Sequence, residues 1–327
     1  MTYYIGIDGG GTKTEGVLTT SEGVILARAL CAATNPNDVT PAVSVSRLTD
    51  LCRSLLTTAG LTEADMERVS LFCGVAGGIN HGPTLENALR AVFPRTPHIR
   101  VRSDAHILLS GELPQGDGAC LICGTGSVCF LRLGSELHRI GGWGYLLDSG
   151  GSGYNIGRDA LEAVLRAHDG RGEPTALTAL VTAHLGGEAH TRITEIYREG
   201  KPYIASCAPL VFQAAEEKDA VAIEILRRNA AFLAELVEAA WKQFSATPGR
   251  TEIALPVVMG GGISKKCAPM WSELVASELK HGVQATFTVA DAAPVFGAVA
   301  EAVGQASEGL FVDYKALRYA FTATYNP

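Results

Sequence analysis

Two short runs in this 327-residue chain set hydroxyl side chains into glycine turns that follow apolar strands. The first is Asp8-Gly9-Gly10-Gly11-Thr12-Lys13-Thr14, and the second is Gly124-Thr125-Gly126-Ser127. Glycine lets backbone N–H groups approach a ligand closely, and successive N–H groups in such a turn form a concave anion site. Thr12, Thr14, Thr125 and Ser127 add hydroxyl donors for phosphate oxygens. Asp8 ends the first strand, where a carboxylate can hold Mg²⁺ directly or through its waters. Asp104 follows the run Ile99-Arg100-Val101-Arg102-Ser103 and is the candidate general base. The same Ser-Asp pair also reads as the cap of a helix over AHILLSG. Lys13 reads equally as a phosphate contact or a solvated hairpin charge. Either turn alone is compatible with an ordinary tight hairpin. Four glycine-rich strand ends in one chain, two with hydroxyls and one with an acid, favour phosphate binding.

The elements that must hold these turns are an alternation of strands and helices. Apolar runs at 3–8, 69–73, 119–123 and 253–259 each end in glycines. Between them, period-3.6 patterns predict a helix over 45–59 stopped by Gly60, another from Ile156 ended at His168-Asp169-Gly170, and a long one over 220–244. The pattern is α/β. The segments IGIDGGGTKTEGVL and LICGTGSVCFLRL both read strand, glycine turn with hydroxyl, strand, which suggests a duplicated domain. The hinge falls near residues 114–118, so domains of 1–115 and 116–327 are expected, with the two hairpins facing one another across a cleft.

Composition narrows the function. Lys+Arg total 27 against 34 Asp+Glu, a net charge of −7, which argues against a binder of phosphate backbones. No apolar run is long enough to span a membrane, and the start MTYYIGIDGGG lacks a charged region before an apolar stretch, so cytoplasmic residence is expected. The eight Cys are scattered; Cys120 and Cys123 lie three apart on a strand, on opposite faces, and read as buried hydrophobes. The eight His show no metal-binding spacing, so no zinc site is expected, and His106 reads as structural. A P-loop fails because Thr12 intervenes before Lys13 and a strand follows. A dinucleotide fingerprint fails because Gly151 to Gly157 has one residue too many.

The chain resembles the BadF/BadG-type ATPase family and, within it, the N-acetylglucosamine kinases of the sugar kinase, Hsp70 and actin superfamily. The matching segments are DGGGTKT (8–14), ATNP (33–36), GVAG (74–77), SDA (103–105), ICGTGS (122–127), GGWGYLL (141–147), GSGYNIGRDAL (151–161), VMGGGIS (258–264) and APVFGA (293–298). The resemblance implies an α/β fold of two ribonuclease-H-like (actin-like ATPase) domains with a nucleotide cleft between them. It implies ATP and Mg²⁺ as cofactors, with Asp8 near the metal and Gly10, Gly11, Thr12 and Lys13 near the β- and γ-phosphates. Gly124, Thr125, Gly126 and Ser127 would form the second phosphate hairpin. Gly260 and Gly261 would flank the adenosine, with Ala205 at its base. Asn35, Asp104, Gly142, Trp143 and Gly144 would hold the sugar. On local evidence alone Asn35 is a turn residue in Thr-Asn-Pro-Asn, and Trp143 either packs in a core or lays its ring on the sugar's apolar face.

One stretch departs from the family pattern. N-acetylglucosamine kinases continue after GWG with a pattern like G-D-E-G-S, whose Asp contacts the sugar; here the residues are Asp148-Ser149-Gly150-Gly151-Ser152. Ser149 takes the place of that Asp, and either Asp148 substitutes through a shifted backbone or sugar recognition differs. The expected function is an ATP-dependent kinase of an amino sugar, N-acetylglucosamine at its 6-hydroxyl, with glucosamine or a muramic-type sugar as variants. The rival is an ATPase that drives a partner protein, like dehydratase activators, which need loop-borne Cys for a shared iron–sulfur cluster. A non-catalytic sugar-responsive binder is disfavoured by the intact Asp8 and Asp104. A small-molecule sugar substrate and a homodimer are expected, with no nucleic-acid or membrane partner.

Overall fold

The structure, a computed structural model, describes residues 2–148, 150–250, 252–307 and 309–326. In the first sheet β1 (Tyr3–Gly9) pairs antiparallel with β2 (Lys13–Thr19), and β2 with β3 (Ile25–Ala32). β4 (Val69–Val75) and β5 (His98–Ser103) add in parallel beyond β1, so the order is β3-β2-β1-β4-β5. The second sheet repeats this plan with β6 (Gly118–Cys123), β7 (Ser127–Leu133), β8 (Glu136–Ile140), β9 (Leu255–Gly260) and β10 (Ala285–Val289). Its order is β8-β7-β6-β9-β10, again antiparallel on one side of the first strand and parallel on the other. Each sheet is ribonuclease-H-like, and the duplication inferred from the two hairpins is a duplication of the whole sheet.

Helices α1 (Pro41–Thr58), α2 (Gly78–Val92) and α3 (Asp104–Glu112) accompany the first sheet. The second carries α4 (Gly153–His168), α5 (Leu177–Leu185), α6 (Ile193–Glu199), α7 (Lys201–Ala205), α8 (Ala208–Glu216), α9 (Ala220–Ser245), α10 (Gly262–Lys266) and α11 (Met270–Ser277). The chain ends with α12 (Pro294–Ala306) and α13 (Tyr314–Thr324). Local chemistry sets the main boundaries. Thr40 caps α1 ahead of a proline, Ser152 caps α4 and Asp219 caps α9, each accepting an N–H of the first turn. Among the described residues no helix is long and apolar enough to cross a membrane.

The chain forms two compact units, residues 1–116 with 291–327, and residues 117–290. Sequence order assigned 291–327 to the second half; in the structure they belong with the first. The reason is close packing. A Cβ on Gly6 of β1 would lie 2.6 Å from the Val299 nitrogen, and one on Gly297 would lie 1.8 Å from the Ile107 carbonyl oxygen, so α12 seats directly on β1 and α3. Ser70 donates to the Ala302 carbonyl (2.6 Å) and Gln305 to that of Leu71 (2.9 Å). Phe296, Val299 and Val303 join Tyr4, Val17, Phe72 and Ile107 in one core, each large side chain there stabilising by about 1.5–3 kcal/mol. The opposite face of the first sheet packs Ile5, Ile7 and Leu18 against Leu48, Leu51 and Leu55 of α1. The second unit buries Leu121 and Leu131 against Ile156 of α4 and Leu233 and Val237 of α9.

Candidate active site

In the first unit the parallel strands β1, β4 and β5 end on the same edge. Asp8 is in register with Gly74, and Val75 with Ser103, the residue before Asp104. Ligand sites of open α/β sheets form beyond such carboxyl ends. Asp8 is half-buried, and its carboxyl is pushed up to about 6, first by burial and then by the charges of Asp104 and Glu15, with Lys13 acting against them. Asp104 opens α3 and is itself half-buried. Ser103 rather than Asp104 is the cap of that helix, and the Asp104 carboxylate accepts from the Ser103 hydroxyl and the Ala105 N–H, both at 2.9 Å. Sequence offered base and cap as alternative readings of Asp104; the cap is Ser103, which leaves the Asp104 carboxylate outside the capping role.

The turn after β1 is closed by the Gly10 N–H donating to the Lys13 carbonyl at 3.1 Å. Gly11, Thr12 and Lys13 are exposed at its outer edge. Thr14, by contrast, has entered β2 and is buried, its hydroxyl paired with that of Thr34 at 2.8 Å, so it offers no donor to a ligand. The Thr34 and Asn35 N–H groups both donate to the Gly10 carbonyl, at 3.1 and 3.3 Å, docking the 33–38 loop onto the turn. Asn35 receives the Asn37 N–H on its side-chain oxygen and donates to Asp38 at 2.6 Å. It is a turn residue, as the local Thr-Asn-Pro-Asn pattern suggested, beside the turn that follows β1. Asp38 escaped the sequence reading, although a Cβ on Gly11 would fall 2.7 Å from its carboxylate. His106 points into the core, 3.3 Å from Glu301 and against Phe72.

The second unit builds a different turn on the same plan. Gly124 to Gly126 is closed by the Gly124 N–H to the Gly126 carbonyl at 2.9 Å, with Thr125 and Gly126 exposed. Ser127 is turned inward and donates to the Gly150 carbonyl at 2.7 Å, so its hydroxyl is already used. Gly260 ends β9 beside Ile122. Gly261 has φ +90°, and a Cβ there would lie 2.4 Å from the Cys123 carbonyl oxygen, so only glycine lets this second turn approach the first. Ala205 ends α7, whose Ile204 carbonyl fills the space where a Cβ on Gly157 of α4 would sit (2.0 Å). Lys201, at the start of α7, was also missed by sequence. Its ammonium lies 4.0 Å from the Cβ position of Gly126 and 5.3 Å from the Tyr145 ring centre, with no carboxylate partner among the described residues.

The GGWG loop folds beside this turn, a Cβ on Gly142 falling 2.7 Å from the Ser127 carbonyl oxygen. Trp143 is 63% exposed, so it is not a core residue, and the Arg139 guanidinium stacks on its ring at 4.6 Å. Asp148 pairs with Gly144 and turns its carboxylate toward the Trp143 N–H at 3.5 Å. Ser149 lies outside the described residues. Away from these turns, His168, Glu188 and His190 gather on the surface of the second unit. Their two imidazoles stack at 4.0 Å with planes 18° apart, so the in-plane lone pairs run parallel and do not converge on one ion. Cys120 and Cys123 are buried, and burial pushes the Cys123 thiol up to about 12.

Two ribonuclease-H-like sheets, each with a glycine turn between its first two strands, place the protein in the actin-like ATPase class. The chain belongs to the BadF/BadG/BcrA/BcrD ATPase family, whose pattern matches residues 5–302. It is 34% identical over 237 residues to an N-acetylmuramic acid/N-acetylglucosamine kinase of Clostridium acetobutylicum, covering 70% of this chain and 76% of that one. It is 30% identical over 278 residues to an N-acetyl-D-glucosamine kinase of Dictyostelium discoideum, covering 80% and 86%. A solved structure from Chromobacterium violaceum, provisionally described as an N-acetylglucosamine kinase, superposes with a TM-score of 0.64 at 25% identity, covering 93% and 99%.

Proposed function

We propose that the protein is an ATP-dependent kinase that phosphorylates N-acetylglucosamine, or a close amino-sugar relative, at its 6-hydroxyl. The observation that carries this reading is the Asp8–Asp104 pair at the carboxyl ends of β1 and β5, the two parallel strands that flank β4. One acid serves the phosphates and the other the acceptor alcohol. The kinase relatives support the amino-sugar class, and the muramic name among them keeps that variant in play.

Asp104 accepts the acceptor hydroxyl's proton while that oxygen bonds to the γ-phosphorus and the bond from γ-phosphorus to the ADP oxygen breaks. Asn35 and the loop 142–144, with Trp143, orient the sugar, and Asp148 and Ser149 sit at the position where the family pattern departs. Gly10, Gly11, Thr12 and Lys13 serve one side of the triphosphate, and Gly124, Thr125, Gly126 and Lys201 the other. Gly260, Gly261 and Ala205 flank the nucleoside. Asp8 fits a Mg²⁺ site, because a half-buried carboxylate destabilised by neighbouring acids is relieved by a divalent cation. Bound there, Mg²⁺ would neutralise charge on the β- and γ-phosphates. Cytoplasmic residence and a homodimer belong to the same reading.

Following ADP release over N-acetylglucosamine, glucosamine, N-acetylmannosamine, N-acetylmuramic acid and glucose tests it. Stimulation by an amino sugar is expected. Turnover that no sugar stimulates would favour the partner-driven ATPase, although the buried Cys120 and Cys123 suit no shared cluster.

A further inference from the structure

Between the nucleotide-side turn and the acceptor-side loop of the second unit runs a short strap, residues 150–154. Its atoms bond to both. The Gly150 carbonyl accepts the Ser127 hydroxyl and the Gly151 carbonyl accepts the Cys123 thiol, each at 2.7 Å. Farther along, the Gly153 N–H donates to the Gly124 carbonyl at 2.7 Å and the Tyr154 N–H to that of Thr125 at 3.2 Å. The strap is therefore stitched to every residue of the turn except Gly126. At its other end it follows the Asp148 loop in sequence, with Ser149 between them.

What fixes the strap itself comes from a helix far away in sequence. Asn229 of α9 is fully buried and uses its whole hydrogen-bonding capacity. Its side-chain oxygen accepts the Gly151 N–H (3.0 Å) and the Asn155 amide (2.8 Å). Its nitrogen donates to Asp159 (3.0 Å) and to the Ile225 carbonyl (2.9 Å). The backbone of the strap is pressed onto the same helix. A Cβ on Gly150 would lie 2.3 Å from Phe232, and one on Gly151, which has φ +72°, would lie 2.3 Å from Leu233. A buried amide that is fully satisfied admits one arrangement of its partners, since losing any bond leaves a desolvated polar group.

We infer that Asn229 is a positioning residue that holds the strap on α9 and makes the 124–127 turn and the 142–148 loop respond together, so that sugar binding tightens nucleotide binding. This rests on the kinase reading, and it assigns to Asn229 no contact with either ligand. Coupling of this kind is reciprocal and commonly amounts to a change of about 5–150-fold in affinity.

The test is the affinity for a non-hydrolysable ATP analogue, measured calorimetrically with and without saturating levels of the sugar that best stimulates ADP release. The wild-type ratio should be about fivefold or more, and Asn229→Ala should bring it to within about twofold of unity. Asn155→Ala, which removes only one of the four bonds, should give an intermediate ratio and guards against a variant that fails to fold. Leu226→Ala truncates the buried face of the same helix away from the strap; it should lower the melting temperature and keep the wild-type ratio. A wild-type ratio of one, or an unchanged ratio in both Asn variants, overturns the inference. If no sugar stimulates ADP release, the kinase reading falls as well. An active wild type with unchanged ratios sinks the inference alone.

Discussion

The two units share a strand order and a turn, yet they differ in what the turn is made to carry. In the first, β1 carries Asp8 one residue before its end, close enough to Asp104 for their charges to interact, and Lys13 stands at the edge. In the second, β6 ends in Cys123, whose thiol is buried, donates to the Gly151 carbonyl and receives the Trp271 N–H at 3.4 Å. One copy keeps ionisable groups at the carboxyl ends of its strands. The other has sealed the matching position and presents backbone N–H groups, Thr125 and the Lys201 ammonium. In the proposed kinase reading the duplicated sheet supplies two similar anion cradles, with the acids of the chemistry at only one. The large helical insertion between β8 and β9 explains how the second cradle is held: α4, α7 and α9 all pack around its base.

If that division is right, removing the acid of the first unit and the hydroxyl of the second should fail differently. Asp104→Asn should cut turnover by about 10²–10⁴-fold, the range for a lost general base, and leave nucleotide affinity within about twofold. Turnover near wild type would take Asp104 out of the chemistry. Thr125→Val should do the converse. A hydrogen bond to a charged group contributes about 1.5–3 kcal/mol, so nucleotide affinity by calorimetry should fall roughly 10–100-fold. Loss of turnover with no loss of affinity would mean that the two cradles are not divided in this way.

Much of the division was legible in sequence because it is local. Glycine turns with hydroxyls are contiguous, and the 3.6-residue periodicity marks α1, α4 and α9 to within a few residues. What escaped depends on three-dimensional neighbours. Thr14 and Ser127 look like donors in a motif, but each has entered its strand, where alternation turns the hydroxyl inward to Thr34 or Gly150. Asn229, Lys201 and Asp38 reach their turns from distant or unremarkable segments with no local mark. Residues 291–306 read as a continuation of the second half, and they pack with the first through the close approaches of Gly297 to Ile107 and of Gly6 to Val299 and through a shared core.

The electrostatic contrast can be tested without substrate. Asp8 has a folded value of about 6 against an ordinary 3.8, so the folded protein binds a proton there more tightly than the unfolded chain. For a carboxyl shifted upward, ionisation costs stability: the penalty is absent below about pH 3.8, grows as pH rises toward 6 and is constant above it. The displacement corresponds to about 3 kcal/mol at most. Asp8→Asn should therefore raise the melting temperature of the ligand-free protein by several degrees at pH 7–8, with the gain vanishing near pH 4. Thermal unfolding across that pH range measures it. A stabilisation that persists at pH 4 would assign the effect to packing instead of charge.

The smallest effect concerns the cation that the second unit recruits. Lys201 lies beside the exposed Gly126 and over the face of Tyr145, where cation–π attraction holds an ammonium with no carboxylate partner among the described residues. Such a charge acts on a phosphate chain through partly solvated space, so screening limits its contribution to about 1 kcal/mol. Lys201→Ala should weaken nucleotide affinity by up to about fivefold at low salt, and the difference should shrink as ionic strength approaches 1 M, where the screening length falls to about 3 Å. Lys13→Ala in the first unit should behave alike if the cradles are true counterparts. If only Lys13 matters, the second turn grips phosphate through its backbone and Thr125 alone, and the resemblance between the units ends at the strand order.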